Sequence, residues 1–152
     1  SQITEEYVEQ VLDALHEAML GATEAARSAG LVEEQAIAIS EATNTEQGAR
    51  DLLNGLVAQA ADGFAGFRDD LRPVDTEVVE IHEVASDCIF VEALFDFSGL
   101  TTEPGNSGDF RLFARLVPAT EEQRASGLNP TAWVLDELPA TDDGSVPSGK
   151  CS

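Results

Sequence analysis

Lysine occurs once in this sequence, at Lys150, and Lys and Arg together number eight against 29 Asp and Glu. The net charge of −21 repels phosphate backbones and anionic headgroups, which argues against nucleic-acid binding and electrostatic docking on membranes. Long apolar runs are also missing. Nothing approaches the roughly 18 consecutive apolar residues of a membrane span. Histidine occurs twice, at His16 and His82, and neither belongs to a His-x-x-x-His or Glu-x-x-His pair, so neither a metal nor any cofactor is expected. No Walker loop or glycine fingerprint offers a phosphate cradle, and no Gly-x-Ser-x-Gly elbow offers a nucleophile. The one Trp and seven Phe have too few basic residues among them to form a base-stacking platform, and read as core aromatics.

Cysteine is scarce but even in number. Cys88 lies at the start of an apolar run, and Cys151 lies in a tail, 139–152, that is rich in Asp, Gly, Ser and Pro. Such a tail buries little, so a Cys88–Cys151 disulfide is expected to tie it to the domain spanning 1–138, and with it an oxidising compartment. Two unrelated thiols are the alternative. The opening residues SQITEEYVEQ lack a Met, a basic stretch and an apolar core, which reads as a mature chain whose signal or lipobox has been removed.

The 43% hydrophobic share is that of a globular chain. Thr4 before Glu5 and Glu6 marks a helix start. Val8, Val11, Leu12, Leu15, Met19 and Ala22 recur at helical spacing up to a natural stop at Gly30. LVEEQAIAISEAT reads as a shorter helix, although Ile37 and Ile39 also fit a strand. Thr45 caps a third helix, whose apolar face continues through Leu56, Ala60, Phe64 and Phe67 towards Pro73.

After Pro73 the period changes to two. TEVVEIHEV is a strand, with Val79 and Ile81 on one face and Val78, Glu80, His82 and Val84 on the other. Ser86-Asp87 turns into CIFVEALFDF, where Ile89, Val91, Ala93, Phe95 and Phe97 form one apolar face, directed at the helices, and Glu92 and Asp96 point away. DFRLFARLV and TAWVLDEL supply third and fourth strands, separated by the polar excursion EEQRASGLNP, which is long enough for a helical turn. Helices first and a meander after predict an α+β domain: two or three N-terminal helices packed on a curved antiparallel sheet of about four strands.

Acid–base chemistry would draw on Tyr7, His16, His82, Glu92 or Asp96. Asp96, between Phe95 and Phe97, is the most suggestive, yet alternation puts it on the opposite face. Cys88 and His82 on neighbouring strands could form a thiol–imidazole pair, but a structural disulfide accounts for Cys88 more simply. Gly105 to Gly108 (GNSG) superficially resembles a protease loop and reads as an ordinary connection. Asp142-Asp143-Gly144 lacks the alternating oxygen ligands of a calcium loop.

The helix-then-meander order, the Trp in TAWVLDEL and the cysteines in ASDCIFVEA and SGKCS resemble the nuclear-transport-factor-like, cystatin-like α+β superfamily. Within it they resemble exported actinobacterial domains with a cysteine pair, over about residues 4 to 138. The resemblance implies a sheet wrapping the long helix into a cone, which some members use as an enzyme pocket and others to bind partners. It carries no catalytic residue onto this chain. The expectation is therefore an extracellular or cell-envelope domain that binds an unknown protein or a small apolar ligand, with its oligomeric state open. The alternative is an isomerase or dehydratase using a carboxyl or His in the cone.

Overall fold

The Thr4 hydroxyl accepts a hydrogen bond from the Tyr7 N–H at 3.1 Å and so starts α1 (Glu5–Ala29). Gly30, at φ 75°, ends it by donating its N–H to the Ala26 carbonyl. The computed structural model describes residues 2–102, 109–138 and 151. Within these, α1 is followed by α2 (Glu34–Thr43), α3 (Glu46–Ala61), β1 (Asp75–Ala85), β2 (Cys88–Asp96), β3 (Asp109–Pro118), α4 (Glu121–Ala125) and β4 (Trp133–Leu138). The sheet is an antiparallel meander in the order β1-β2-β3-β4. This is the α+β architecture expected from the sequence, and LVEEQAIAISEAT resolves as helix α2. No described helix is long and apolar enough to cross a membrane.

The apolar stripe of α1 serves two cores. Val8, Leu12 and Leu15 lie fully buried against Val91, Phe95 and Leu116 on the inner face of the sheet. Further along the helix, Ala22 and Ala26 meet Ala36, Ile39, Leu56 and Phe64 in a smaller core among the helices. Ile89, Val91, Ala93 and Phe95 are all inaccessible to solvent and face the helices, as the alternation required. The space between α1 and the sheet is filled by these side chains. Trp133 Nε1 donates to the Tyr7 hydroxyl at 2.9 Å, which ties β4 to the first turn of α1.

Three sequence expectations are corrected. The third helix stops at Ala61 rather than continuing to Phe67. Gly63 and Phe64 adopt positive φ (65° and 55°), and beyond the helix end the Phe64 and Phe67 rings pack edge to face at 5.3 Å in the smaller core. In β1 the register slips between Val78 and Glu80 and again between Ile81 and Glu83. Val78 therefore joins Ile81 on the core side, while Val79, the extra residue of the first bulge, is 47% exposed. The fourth strand begins at Trp133, because Asn129 binds Thr131 and the Trp133 carbonyl and holds the preceding residues in a turn. The polar excursion does contain a helical turn, α4, closed by a Thr120–Gln123 capping box.

Both sheet edges are covered. On β1 the Glu9 carboxylate accepts from the Val78 N–H at 2.7 Å, and Asp13 accepts from the Thr76 hydroxyl at 2.8 Å. On β4 the α2–α3 corner docks, with the Thr45 N–H donating to the Leu135 carbonyl at 3.0 Å. A Cβ on Gly48 would stand 2.7 Å from that same carbonyl, so only glycine permits this approach.

Cys88 and Cys151 form a disulfide, with Cα atoms 5.6 Å apart. They are not independent thiols.

Replacing Phe95 with Ala should cost about 3–5 kcal/mol in urea unfolding, because the ring is fully buried. A mutant that melts with the parent would show the face assignment to be inverted. Replacing both cysteines with Ser should lower stability by about 4 kcal/mol in the chain-entropy account, the bond spanning a separation of 63 residues.

Candidate functional site

The outer face of the sheet brings two of the polar candidates, His82 and Glu92, together. Phe90 and Phe113, on β2 and β3, are fully buried there and stack with ring centroids 5.7 Å apart and planes 3° from parallel. His82 leans on both rings. Its Nδ1 lies 3.0 Å from a Glu80 carboxylate oxygen and its Nε2 2.9 Å from one of Glu92. The second Glu92 oxygen lies 3.3 Å from Arg111 Nε, and the Arg111 guanidinium sits over the Phe113 ring. The β1 bulges bring His82 and Glu92 together, a pairing that strict alternation does not reveal. These groups satisfy one another. The cluster therefore reads as a means of burying a histidine and a glutamate beside two phenylalanines, not as chemistry waiting for a substrate.

The remaining candidates are scattered. His16 is buried on the inner face of α1, edge-on to Phe95 at 5.4 Å, far in sequence from His82 and on the opposite side of the sheet. Tyr7 serves the Trp133 bond. Asp96 accepts the Ser98 N–H at 2.9 Å, and the backbone and side-chain hydrogen bonds from Ser98 hold its carboxyl below the ordinary 3.8. The nearby Arg72 charge adds to this, and partial burial works against it. Asp96 is thus an ionised turn cap. Cys88 is consumed by the disulfide and offers no nucleophile. Gly105 to Gly108 and Asp142-Asp143-Gly144 lie outside the described residues. Among the described residues, no three His, Cys, Asp or Glu side chains assemble a metal site.

Two grooves stand out. One, of about 700 Å³, runs between α2, α3 and α4 over Ala42, Ala49 and Leu53, with Glu41, Glu46 and Glu122 about its rim. Several of its polar groups are already engaged: Gln123 Nε2 donates to the Glu41 and Asn44 carbonyls, and Arg50 reaches Glu46 and Gln47. The other, of about 490 Å³, opens where β2 ends and β3 begins, across from the turn that follows α3. Its described walls include Phe67, Phe97, Leu100, Phe110 and Leu112, with Gln59, Asp62 and Thr101 as the polar members. Phe97 meets Phe110 edge to face at 5.7 Å and stacks behind on Phe95 at 6.3 Å, so the groove is backed by the rigid main core. The backbone fixes the opposite wall. The Arg68 N–H donates to the Leu100 carbonyl, the Thr102 N–H to the Gly66 carbonyl, and the Arg72 N–H to the Gly99 carbonyl.

No family model matches this chain, and comparison with curated proteins and with solved structures finds no match. The groove must be read from its own chemistry. Sequence inspection placed Phe97 on the core face but gave no reason to join it to Phe67. That join depends on the turn at Gly63 to Gly66, whose positive φ values are a property of the folded backbone.

Asp96→Asn should leave the fold intact and remove an acid-dependent stability term. The carboxyl is held below its ordinary value in the folded state, so its contribution is complete above about pH 4 and disappears as pH falls further and the folded carboxylate takes up its proton. Urea midpoints of the two proteins should differ at neutral pH and converge in acid. A gap that widens in acid would contradict the assignment.

Proposed function

We propose that this chain is a non-enzymatic binding domain of an oxidising, extracytoplasmic compartment, and that the Phe67–Phe97–Phe110 groove receives a small apolar ligand. The observation that carries the reading is the groove itself. Its volume of about 490 Å³ falls in the range of small-molecule sites, its walls are largely aromatic and aliphatic, and its floor is continuous with a close-packed core. An exposed apolar hollow on a domain this acidic is unusual unless something occupies it. The disulfide supports the compartment, since such bonds persist where glutathione does not reduce them.

The competing reading, an isomerase or dehydratase acting in a cone, calls for a titratable group at the base of an enclosed pocket. The volume between α1 and the sheet is occupied by Val8, Leu12, Leu15 and Phe95, and the one carboxylate in the described groove lining, Asp62, is on its exposed rim. The geometry therefore favours binding over turnover.

Nile red, a neutral dye that brightens in apolar surroundings, tests the groove. Wild-type protein should bind it saturably, and Phe110→Ser, a change at a residue already 38% exposed, should weaken that binding about tenfold while leaving the melting temperature within a few degrees. Equal binding by both proteins would sink the proposal.

A further inference from the structure

We infer that the ligand of this groove carries a positive charge: it is a small organic cation, of the alkylated-ammonium kind, with an apolar body. The inference rests on the binding reading above and narrows it. Three observations point the same way. The first is the aromatic wall. Phe97 and Phe110 meet edge to face with their planes 68° apart, and Phe67 contributes a third ring to the lining. A ring face is the negative pole of the aromatic quadrupole, and a wall of three rings favours a weakly hydrated cation over a neutral group of the same shape wherever a face is presented to the ligand. The second is the rim. Asp62 is the only charged side chain in the described lining, and it is exposed. It follows the last turn of α3, with its N–H spent on the carbonyls of Ala58 and Gln59, while no hydrogen bond or ion pair occupies its carboxylate among the described residues. None of the cations around this end of the sheet belongs to the described lining: Arg68 reaches Asp70, Arg72 acts on Asp96, and the Arg111 side chain lies on the outer face against Glu92.

The third observation is the field. A net charge of −21 concentrates cations and excludes anions at every concave surface. A fatty acid or an organic phosphate, the other common occupants of a groove this size, would meet this potential with no cation in the described lining to neutralise it. A permanently charged ammonium bearing alkyl groups escapes both penalties. Its shell of methyl groups is cheap to remove from water, and its charge faces the rings and Asp62.

Displacement of Nile red by two ligands of one shape separates the possibilities. Phenyltrimethylammonium and tert-butylbenzene differ in a single central atom and its charge. The cation should displace the dye at about tenfold lower concentration than the neutral compound, combining ring-face attraction with a rim ion pair. Asp62→Asn should narrow that ratio to about threefold, whereas Glu24→Gln, the same loss of charge at a residue of α1 outside the described lining, should leave it unchanged. Equal or better displacement by tert-butylbenzene overturns the cation and leaves the groove reading standing. Narrowing by Glu24→Gln as large as that by Asp62→Asn shows the preference to be a property of the whole surface, and overturns the site-specific claim. If Phe110→Ser binds dye as wild type does, the groove reading itself fails and this inference falls with it.

Discussion

Burial of β2 on both faces is the constraint from which the other elements take their places. On the inner side Ile89, Val91, Ala93 and Phe95 are closed to solvent by α1, and on the outer side Cys88 and Phe90 are nearly as inaccessible. A strand in this position must have hydrogen-bonded neighbours along both edges, and β1 and β3 supply them over almost its entire length. The bulges of β1 then aim His82 at Glu92, the stacked Phe90 and Phe113 rings give that pair an apolar bed, and the last turn of the strand delivers Phe97 to the groove. The groove is precise because it is the untreated end of a core layer, not because a loop was shaped to make it.

Much of this was legible in the residues. Thr4, Thr45 and Gly30 act as the caps their identities announced, and the meander follows from four alternating runs separated by turn residues. The failures share a cause. Val78 and Val79 exchanged faces because a bulge inserts one residue into a period of two, and nothing about a Val-Val pair marks which will be the extra one. Phe64 and Phe67 continued a helical spacing that the backbone abandoned at Gly63. Pattern reading measures periodicity, and both errors arise where the chain keeps its apolar residues but changes its period. The site suffered more than the fold. His16, His82 and Asp96 were the conspicuous chemistry-bearing residues, yet they lie apart, in a core, in a closed ion-pair cluster and in a turn. The groove is built from phenylalanines and leucines, which have no distinguishing mark in a sequence.

The acidity and the core are separate solutions to separate problems. The carboxylates of Glu9 and Asp13 accept hydrogen bonds from β1, and Glu92 contacts His82 and Arg111, but most of the 29 acidic side chains make no described contact that the fold requires. They set the potential around the molecule rather than its shape. A surface this acidic repels anions and draws cations into the solvent around it.

The disulfide also decides how the molecule would carry mechanical load. Tension applied to the chain beyond Cys151 does not enter at the end of β4. It crosses the sulfur–sulfur bond and arrives at Cys88, where β2 begins beside the turn from β1. Everything between, including β3, α4 and β4, lies inside a covalently closed loop and cannot be drawn out at any force below that of bond rupture. The pull falls instead on the β1–β2 hairpin at its turn end, and through β1 on the helices. β1 already spans the ladder from the Asp75 end to the Cys88 end, so the load runs along its backbone and does not unzip it from β2. A domain held at its two ends would thus yield its helices early and keep the sheet segment closed by the disulfide, carrying Phe97 and Phe110, as an inextensible stop.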